Sequence, residues 1–256
     1  MFKGKAGLKG KTLGEIEIMK EGGRKLGQVK SALRKAVKVG VTADEIERLA
    51  RRLIVEKGGT PSFMAVPGYS WATCVNINEG LVHGIPKPEI VFKKGDVVSV
   101  DVGMEYRGFH TDTSFTVGLG VDAKTQEFLD VGKKALNRAV AQVKPGKRIY
   151  DISEAIEGTI SEAGYSPIRD LVGHGIGSHL HEYPQIPCFT AGGRQETDEI
   201  PEMATLAVEI MYAQGSYQVK IAEDGWTISM RDDKISALFE ETVAALASGP
   251  LVLTEG

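Results

Sequence analysis

Cysteine is scarce in this chain: Cys74 and Cys188 are the only two in 256 residues. They lie far apart, form no C-x-x-C pair and have no cysteine-rich surroundings, which excludes a disulfide framework and a zinc ribbon; both are expected to be reduced. Long apolar runs are missing too. The opening MFKGKAGLKGKTLGEIEIMK is basic without the apolar core of a signal peptide, and no later segment approaches the length of a membrane span. No low-complexity tract or Pro/Gly/Ser linker divides the chain. Nor is one charge in excess: 31 Lys and Arg against 34 Asp and Glu leave −3, which excludes nucleic-acid binding through bulk positive charge. With 42% hydrophobic and 25% charged residues the chain can build a substantial core, as one large or two small domains. The expectation is a cytoplasmic, monomeric protein that binds neither membrane nor nucleic acid.

An internal echo is present. VKVGVTADEIERLARRLIVEKGGTP (37–61) and VKPGKRIYDISEAIEGTISEAGYSP (143–167) align without gaps at an offset of 106 residues. Ile46, Leu49 and Leu53 in the first copy, and Ile152, Ile156 and Ile160 in the second, recur at helical spacing, so each copy contains an amphipathic helix. Thr42 with Glu45 makes a capping-box start for the first, and Gly58, Gly59 and Pro61 stop it. After each helix the pattern turns to strands: ATCVNIN, VVSVDVGMEY and FHTDTSFTV in one half, TLAVEIMYA and SALFEETVAAL in the other. SVDVG and AVEIM match, pairing Asp101 with Glu209, and the next strands carry Asp112 and Glu240. The economical reading is an α/β (α+β) duplication with pseudo-twofold symmetry. It makes one domain over residues 1–256, with halves of roughly 11–120 and 121–254, whose carboxylates meet at a central sheet.

A carboxylate in a strand is costly to bury unless it is paired or bound to a cation. Asp101 shares a strand face with Ser99, Gly103 and Glu105, and a short turn at Tyr106–Gly108 sets it opposite Asp112 or one diagonal away. Two such charges repel, so either one is protonated or a cation holds both. In GHGIGSHLHE (173–182) three glycines free the backbone to take unusual dihedrals and to approach a ligand closely, aiming His174 and His181 from a short segment. His110 and His179 read as ordinary hydrogen-bonded residues. Asp101, Asp112, His174, Glu209 and Glu240 together make an oxygen-rich donor set suited to Mn, Fe, Co or Zn. Four carboxylates are too many for one catalytic zinc and suit two ions a few ångströms apart.

These motifs, in the order PSF, NEGLVHGIP, VDVG, HTDTS, GHGIGSHLHE, VEIM, DGWT and SALFEET, resemble those of the type I methionine aminopeptidases of peptidase family M24, over roughly residues 11–254. The resemblance implies a pita-bread fold with a central antiparallel sheet flanked by helices. It also implies a dinuclear metal centre, of Co, Mn, Fe or Zn: Asp101 chelates one ion, Asp112 and Glu240 bridge, and His174 and Glu209 bind the other. A bridging water or hydroxide would attack the first peptide bond, with Glu209 handling its proton, His181 stabilising the oxyanion and His83 contacting the scissile amide. Phe63, Val66, Tyr69, Leu180 and Trp226 would surround the methionine side chain. The implied substrates are nascent polypeptides beginning with methionine, with the ribosome as a candidate partner.

Two positions depart from the family pattern: Ile210 stands where proline is usual, and Glu241 where histidine is usual. Glu240 and Glu241 point to opposite strand faces, so only one can ligate, and its place in the motif selects Glu240. The short gap from His181 to Glu209 leaves no room for the large insertion of type II enzymes. Two alternatives remain open: a proline-directed aminopeptidase or dipeptidase of the same fold, whose relatives normally carry a long additional N-terminal domain, and a non-catalytic pita-bread binding protein.

Overall fold

Threonine starts both helices of the first half. In the computed structural model, which describes residues 7–256, helix α1 (Leu13–Ala36) begins at Thr12 and α2 (Ala43–Glu56) at Thr42. Each threonine hydroxyl accepts from the N–H of Glu15 or Glu45, and each glutamate accepts in return from the cap N–H. Helix α3 (Ala123–Val140) is capped by Asp122, and α4 spans Ile149–Glu162. The bounds of α2 and α4 differ by 106 residues at both ends, the offset read from the sequence. One detail is corrected. The fully buried row matching Ile152, Ile156 and Ile160 is Ile46, Ala50 and Ile54, while Leu49 and Leu53 flank it, partly buried. A spacing of four keeps residues on one helical row, and Ala50 holds its place there by position rather than by size.

The strands among the described residues are β1 (Thr60–Pro61), β2 (Thr73–Ile77), β3 (Gly80–Val82), β4 (Val97–Tyr106), β5 (Phe109–Gly118), β6 (Ser166–Pro167) and β7 (Val172–Gly175). They continue as β8 (Glu182–Pro187), β9 (Thr205–Ala213), β10 (Val219–Ile221), β11 (Ile228–Met230), β12 (Ser236–Leu246) and β13 (Gly249–Val252). The larger sheet runs β1-β4-β5-β12-β9-β7-β8, with β2 beside β4, β6 beside β9 and β13 beside β12. Its pairings are antiparallel, and a smaller sheet orders β10-β11-β3. Arg107 and Gly108 join β4 to β5 with φ of +53° and +85°, the left-handed pair of a two-residue hairpin turn whose twist suits antiparallel strands.

Helix α1 packs on β4 and β5, and α3 on β9 and β12; α2 lies against α1 and α4 against α3. Burial explains the order. Tyr212 and Phe239, on the strand face away from Glu209 and Glu240, close against Gly132 of α3. Helices therefore cover one face of the sheet, and the carboxylates turn to the other. The two halves meet where β12 pairs β5 at Glu240–Ser114 and Glu241–Thr113. No helix among the described residues is long and apolar enough to cross a membrane. Of the basic opening stretch, residues 1–6 lie outside the described residues. Cys74 and Cys188 are both free and buried.

Candidate metal centre

Strand register puts four side chains in one line across the sheet. Asp101 on β4 pairs with Ser114 on β5, Ser114 with Glu240 on β12, and Glu240 with Glu209 on β9. Asp112 lies two residues before Ser114 and therefore on the same face; its direct partner is Gly103, which leaves it one diagonal from Asp101. His174 on β7 pairs with Ala207, two residues before Glu209. This face opens on a cavity of about 150 Å³ lined by Asp101, Asp112, His174, Glu209 and Glu240. Phe63, Val66, Tyr69, His83, Leu180, His181 and Trp226 line it too, so the structure brings every candidate site residue to one place. Cys74 and Val82 complete the wall, two residues that motif reading did not single out.

Asp112, His174 and Glu240 are 4%, 3% and 2% exposed, and their ligand atoms lie within 4.8 Å of one another. Such burial calls for a counter-charge. Among the described residues no lysine or arginine pairs with Asp101, Asp112, Glu209 or Glu240; the one ion-pair contact is His174 Nε2 to Glu209 Oε1 at 3.4 Å. Asp101 Oδ1 and Glu240 Oε1 are buried without a hydrogen-bond partner. Burial, then the neighbouring carboxylates, raise Asp101, Glu209 and Glu240 well above the usual carboxylate range. Burial pushes Asp112 up to about 7 against the Thr113 N–H that holds it down. His174 is driven the other way, to about 3, by burial and by His181. Its Nδ1 lies 2.9 Å from the carbonyl of Gly175, which can only accept, so Nδ1 carries the proton and Nε2 presents its lone pair to the carboxylates. Converging carboxylates that pair with no lysine or arginine among the described residues fit divalent cations, and oxygen donors with one imidazole fit Mn, Fe, Co or Zn.

His83 reaches the cavity mouth from a left-handed backbone, φ +58°, that a non-glycine residue rarely adopts. Its neighbour Gly84 is gripped on both sides: its N–H donates to Asn76 Oδ1 at 3.0 Å, and its carbonyl accepts from Val75 N–H at 2.9 Å. A Cβ on Gly84 would lie 2.2 Å from Val75 O and 2.5 Å from Asn76 Oδ1, so only glycine fits. Asn76 and Ser114 were not picked out in the sequence. The available signal was polar residues inside apolar strands, above all an asparagine in ATCVNIN, where asparagine is disfavoured.

The glycines around His174 act differently from expectation. None of Gly173, Gly175 and Gly177 sits in the left-handed region. Cβ atoms would come within 2.6 Å of Ala207 O at Gly173 and 2.2 Å of Tyr183 O at Gly175, so these two let β7 press against its neighbours rather than against a ligand. His181 follows in the turn before β8, its ring edge-on to that of His174 at 4.5 Å between centroids. His110 Nδ1 lies 2.9 Å from Ser62 Oγ, and His179 is exposed beside Glu182; neither lines the cavity. Ile210 is fully buried in unbroken register with Phe239. Glu241 faces away from the cavity and pairs with Lys30, while Glu240 faces in.

A similar sequence and architecture occur in known proteins. A family model described as metallopeptidase family M24 matches residues 17–245. The methionine aminopeptidase of Clostridium perfringens is 36% identical over 245 residues, 95% of this chain and 97% of that protein. Methionine aminopeptidase 1 of Bacillus subtilis is also 36% identical over 245 residues, 95% and 98% of the two chains. The crystal structure of methionine aminopeptidase from Thermotoga maritima superposes with a TM-score of 0.94 at 38% identity, covering 97% of this chain and all of that one. Prolidase from Pyrococcus furiosus matches with a TM-score of 0.77 at 22% identity, over 96% of this chain and 65% of the prolidase, a likeness that shows the fold alone. The fold is the pita-bread fold.

Proposed function

The chain belongs to metallopeptidase family M24, and on that premise we propose that Asp101, Asp112, His174, Glu209 and Glu240 hold two divalent ions and that His83 and His181 address the first peptide bond of the substrate. The enzyme removes the N-terminal methionine from proteins and peptides by metal-dependent hydrolysis. The observation that carries the metal reading is the pair of orphaned oxygens, Asp101 Oδ1 and Glu240 Oε1, buried beside Asp112 and a neutral His174. Bound there, divalent ions supply Lewis acidity toward the scissile carbonyl and a water-derived nucleophile near neutral pH.

The protein side of the reaction follows from the neighbouring groups. Glu209 has its affinity for protons raised by burial and by Asp112, which suits it to take a proton at the carboxylate and return it to the leaving amine. His181 lies at the open mouth, where desolvation of its ring, with His83 and His110 adding to it, holds it down to about 4. A neutral imidazole there donates an N–H to the developing oxyanion. His83 lines the same cavity, and its proposed role is to contact the scissile amide.

Phe63, Val66, Tyr69, Leu180 and Trp226 make the apolar part of the cavity, Tyr69 and Trp226 meeting edge to face at 5.1 Å. A flexible thioether side chain suits this apolar wall. Trp226→Ala is expected to raise KM for a Met-Ala peptide roughly tenfold, the worth of one aromatic wall, with kcat changed less. Steady-state kinetics would expose the opposite pattern.

Metal and pH are linked with a definite sign. In the metal-free protein Asp112 is raised from 3.8 to about 7, so its contribution to stability is greatest at acid pH and is lost as pH rises toward 7. Metal binding requires the deprotonated ligands and reverses that trend. Adding Mn²⁺ should therefore raise Tm by roughly 5 °C more at pH 8 than at pH 5.5, scaled from typical ligand stabilisation and unfolding entropy. Equal shifts at both pH values in calorimetry would contradict the assignment.

We place the reaction in the cytoplasm, on nascent chains. The deciding experiment is hydrolysis of Met-X and X-Pro peptides by protein stripped with a chelator and then reloaded with Mn, Co or Fe. Metal-restored release of methionine from Met-Ala peptides is expected, with X-Pro peptides left intact. Robust metal-free turnover would overturn the metal reading, and preferential X-Pro cleavage would overturn the substrate reading.

A further inference from the structure

We propose that Lys30 and Glu241 are positioning residues: from behind the sheet, the hydrogen bonds that converge on Glu241, its charge balanced by Lys30, hold the backbone that carries Asp112 and Glu240. The inference rests on the metal-binding role given to those two carboxylates above.

Strands β5 and β12 pair at only two positions, Glu240–Ser114 and Glu241–Thr113. Asp112 lies just beyond, where the ladder to β12 has ended. Its backbone is held by a side chain instead: Asp112 N–H donates to Thr242 Oγ1 at 2.8 Å, and the Thr242 hydroxyl donates to the Asp112 carbonyl at 2.7 Å. Thr242 N–H donates in turn to Thr254 Oγ1 at 3.0 Å, and the Thr254 hydroxyl donates to Glu241. On the other side of Glu241 the Thr113 hydroxyl is shared between Glu241 Oε2 at 3.2 Å and the carbonyl of Glu240 at 2.9 Å. Glu241 thus stands at the hub of two routes, one to the backbone of Asp112 and one to that of Glu240.

Lys30 of α1 fixes that hub. Its side chain is 8% exposed and pairs with Glu241 Oε1, leaving Oε2 for the two threonine hydroxyls. Metal donors must be held within about half an ångström of their working geometry, and the partners that orient ligands typically change metal affinity 10- to 100-fold. Losing the Glu241 carboxylate would free the Thr254 hydroxyl, leave the Thr113 hydroxyl on the Glu240 carbonyl alone and strand the buried ammonium of Lys30. The variant pair Lys30→Met/Glu241→Gln removes both charges and keeps an acceptor and a side chain of the same shape beside Thr113 and Thr254.

The test is calorimetric titration of Co²⁺ into chelator-stripped protein, with the visible spectrum of the bound ion as a second readout. Glu241→Ala is expected to bind Co²⁺ at least tenfold more weakly with an altered spectrum, and Lys30→Met/Glu241→Gln to stay within about threefold of the parent. Glu241→Ala matching the parent in affinity and spectrum, even with a lower Tm, would overturn the proposal, because the pair would then be structural only. So would equal losses in Glu241→Ala and the neutral pair. Should Glu241→Ala not fold, Lys30→Met takes its place in the same comparison. A parent protein without saturable Co²⁺ binding would overturn the metal centre itself and this inference with it, whereas binding by the parent with unchanged variants overturns this inference alone.

Discussion

Asp112→Asn is expected to lower kcat on a Met-Ala peptide by about 10³-fold or more, several kcal/mol of lost transition-state stabilisation, while the metal-free protein becomes no less stable. The two halves of that result have one cause. Asp112 is 4% exposed, with its carboxylate raised to about 7 by burial, so ionising it at pH 8 works against the fold. Asparagine removes that opposition, worth up to about 4 kcal/mol from a shift of this size, and its amide oxygen still accepts from Thr113 N–H. The backbone clamp by Thr242 does not involve the carboxylate and survives. Lost with the charge is one of the three groups whose donor atoms lie within 4.8 Å of one another. Thermal melting of stripped protein and kinetics of reloaded protein check the two halves separately. Full activity in Asp112→Asn would show that it is not a ligand.

His181→Ala should cut kcat by about 10² to 10³, the usual loss of one oxyanion donor, with KM and Co²⁺ affinity within a few-fold of the parent. The ring stands against His174 at 4.5 Å but is not one of the three closely grouped donors, and it opens to solvent. Held down to about 4, it is neutral throughout the working range, so its removal takes away an N–H donor and no charge. His174→Ala offers the contrast, since it removes a lone pair aimed at Glu209. Calorimetry on the two variants separates donor from ligand. If His181→Ala lost Co²⁺ affinity as heavily as His174→Ala, His181 would have to be assigned to the metal.

Much of this molecule is written in local patterns. Thr42 and Glu45 set the start of α2, a gapless repeat carried its bounds to α4 at an offset of 106 residues, and strand alternation marked β4, β5, β9 and β12 close to their observed limits. α1 and α3 went unmarked, though Thr12 followed by Glu15 carries the same capping signal. Periodicity of side chains along one segment needs no partner to be read, and so the identities of Asp101, Asp112, Glu209 and Glu240 as strand carboxylates were accessible from residue order alone.

Tertiary structure decided what those carboxylates do together. Cross-strand register, a property of two segments at once, drew Asp101, Ser114, Glu240 and Glu209 into one line and set Asp112 one diagonal away. The helices occupied the opposite face, which turned Glu240 into the cavity and handed Glu241 to Lys30, a residue 211 positions distant. Close packing of β7 gave Gly173 and Gly175 a use that residue type alone misassigned to unusual dihedrals. Residue order determined which side chains were available to this site and on what kind of element each would sit. Which of them met, at what distance and beside which charge, followed only from packing two halves into a single sheet, because contact between distant segments has no period in the sequence.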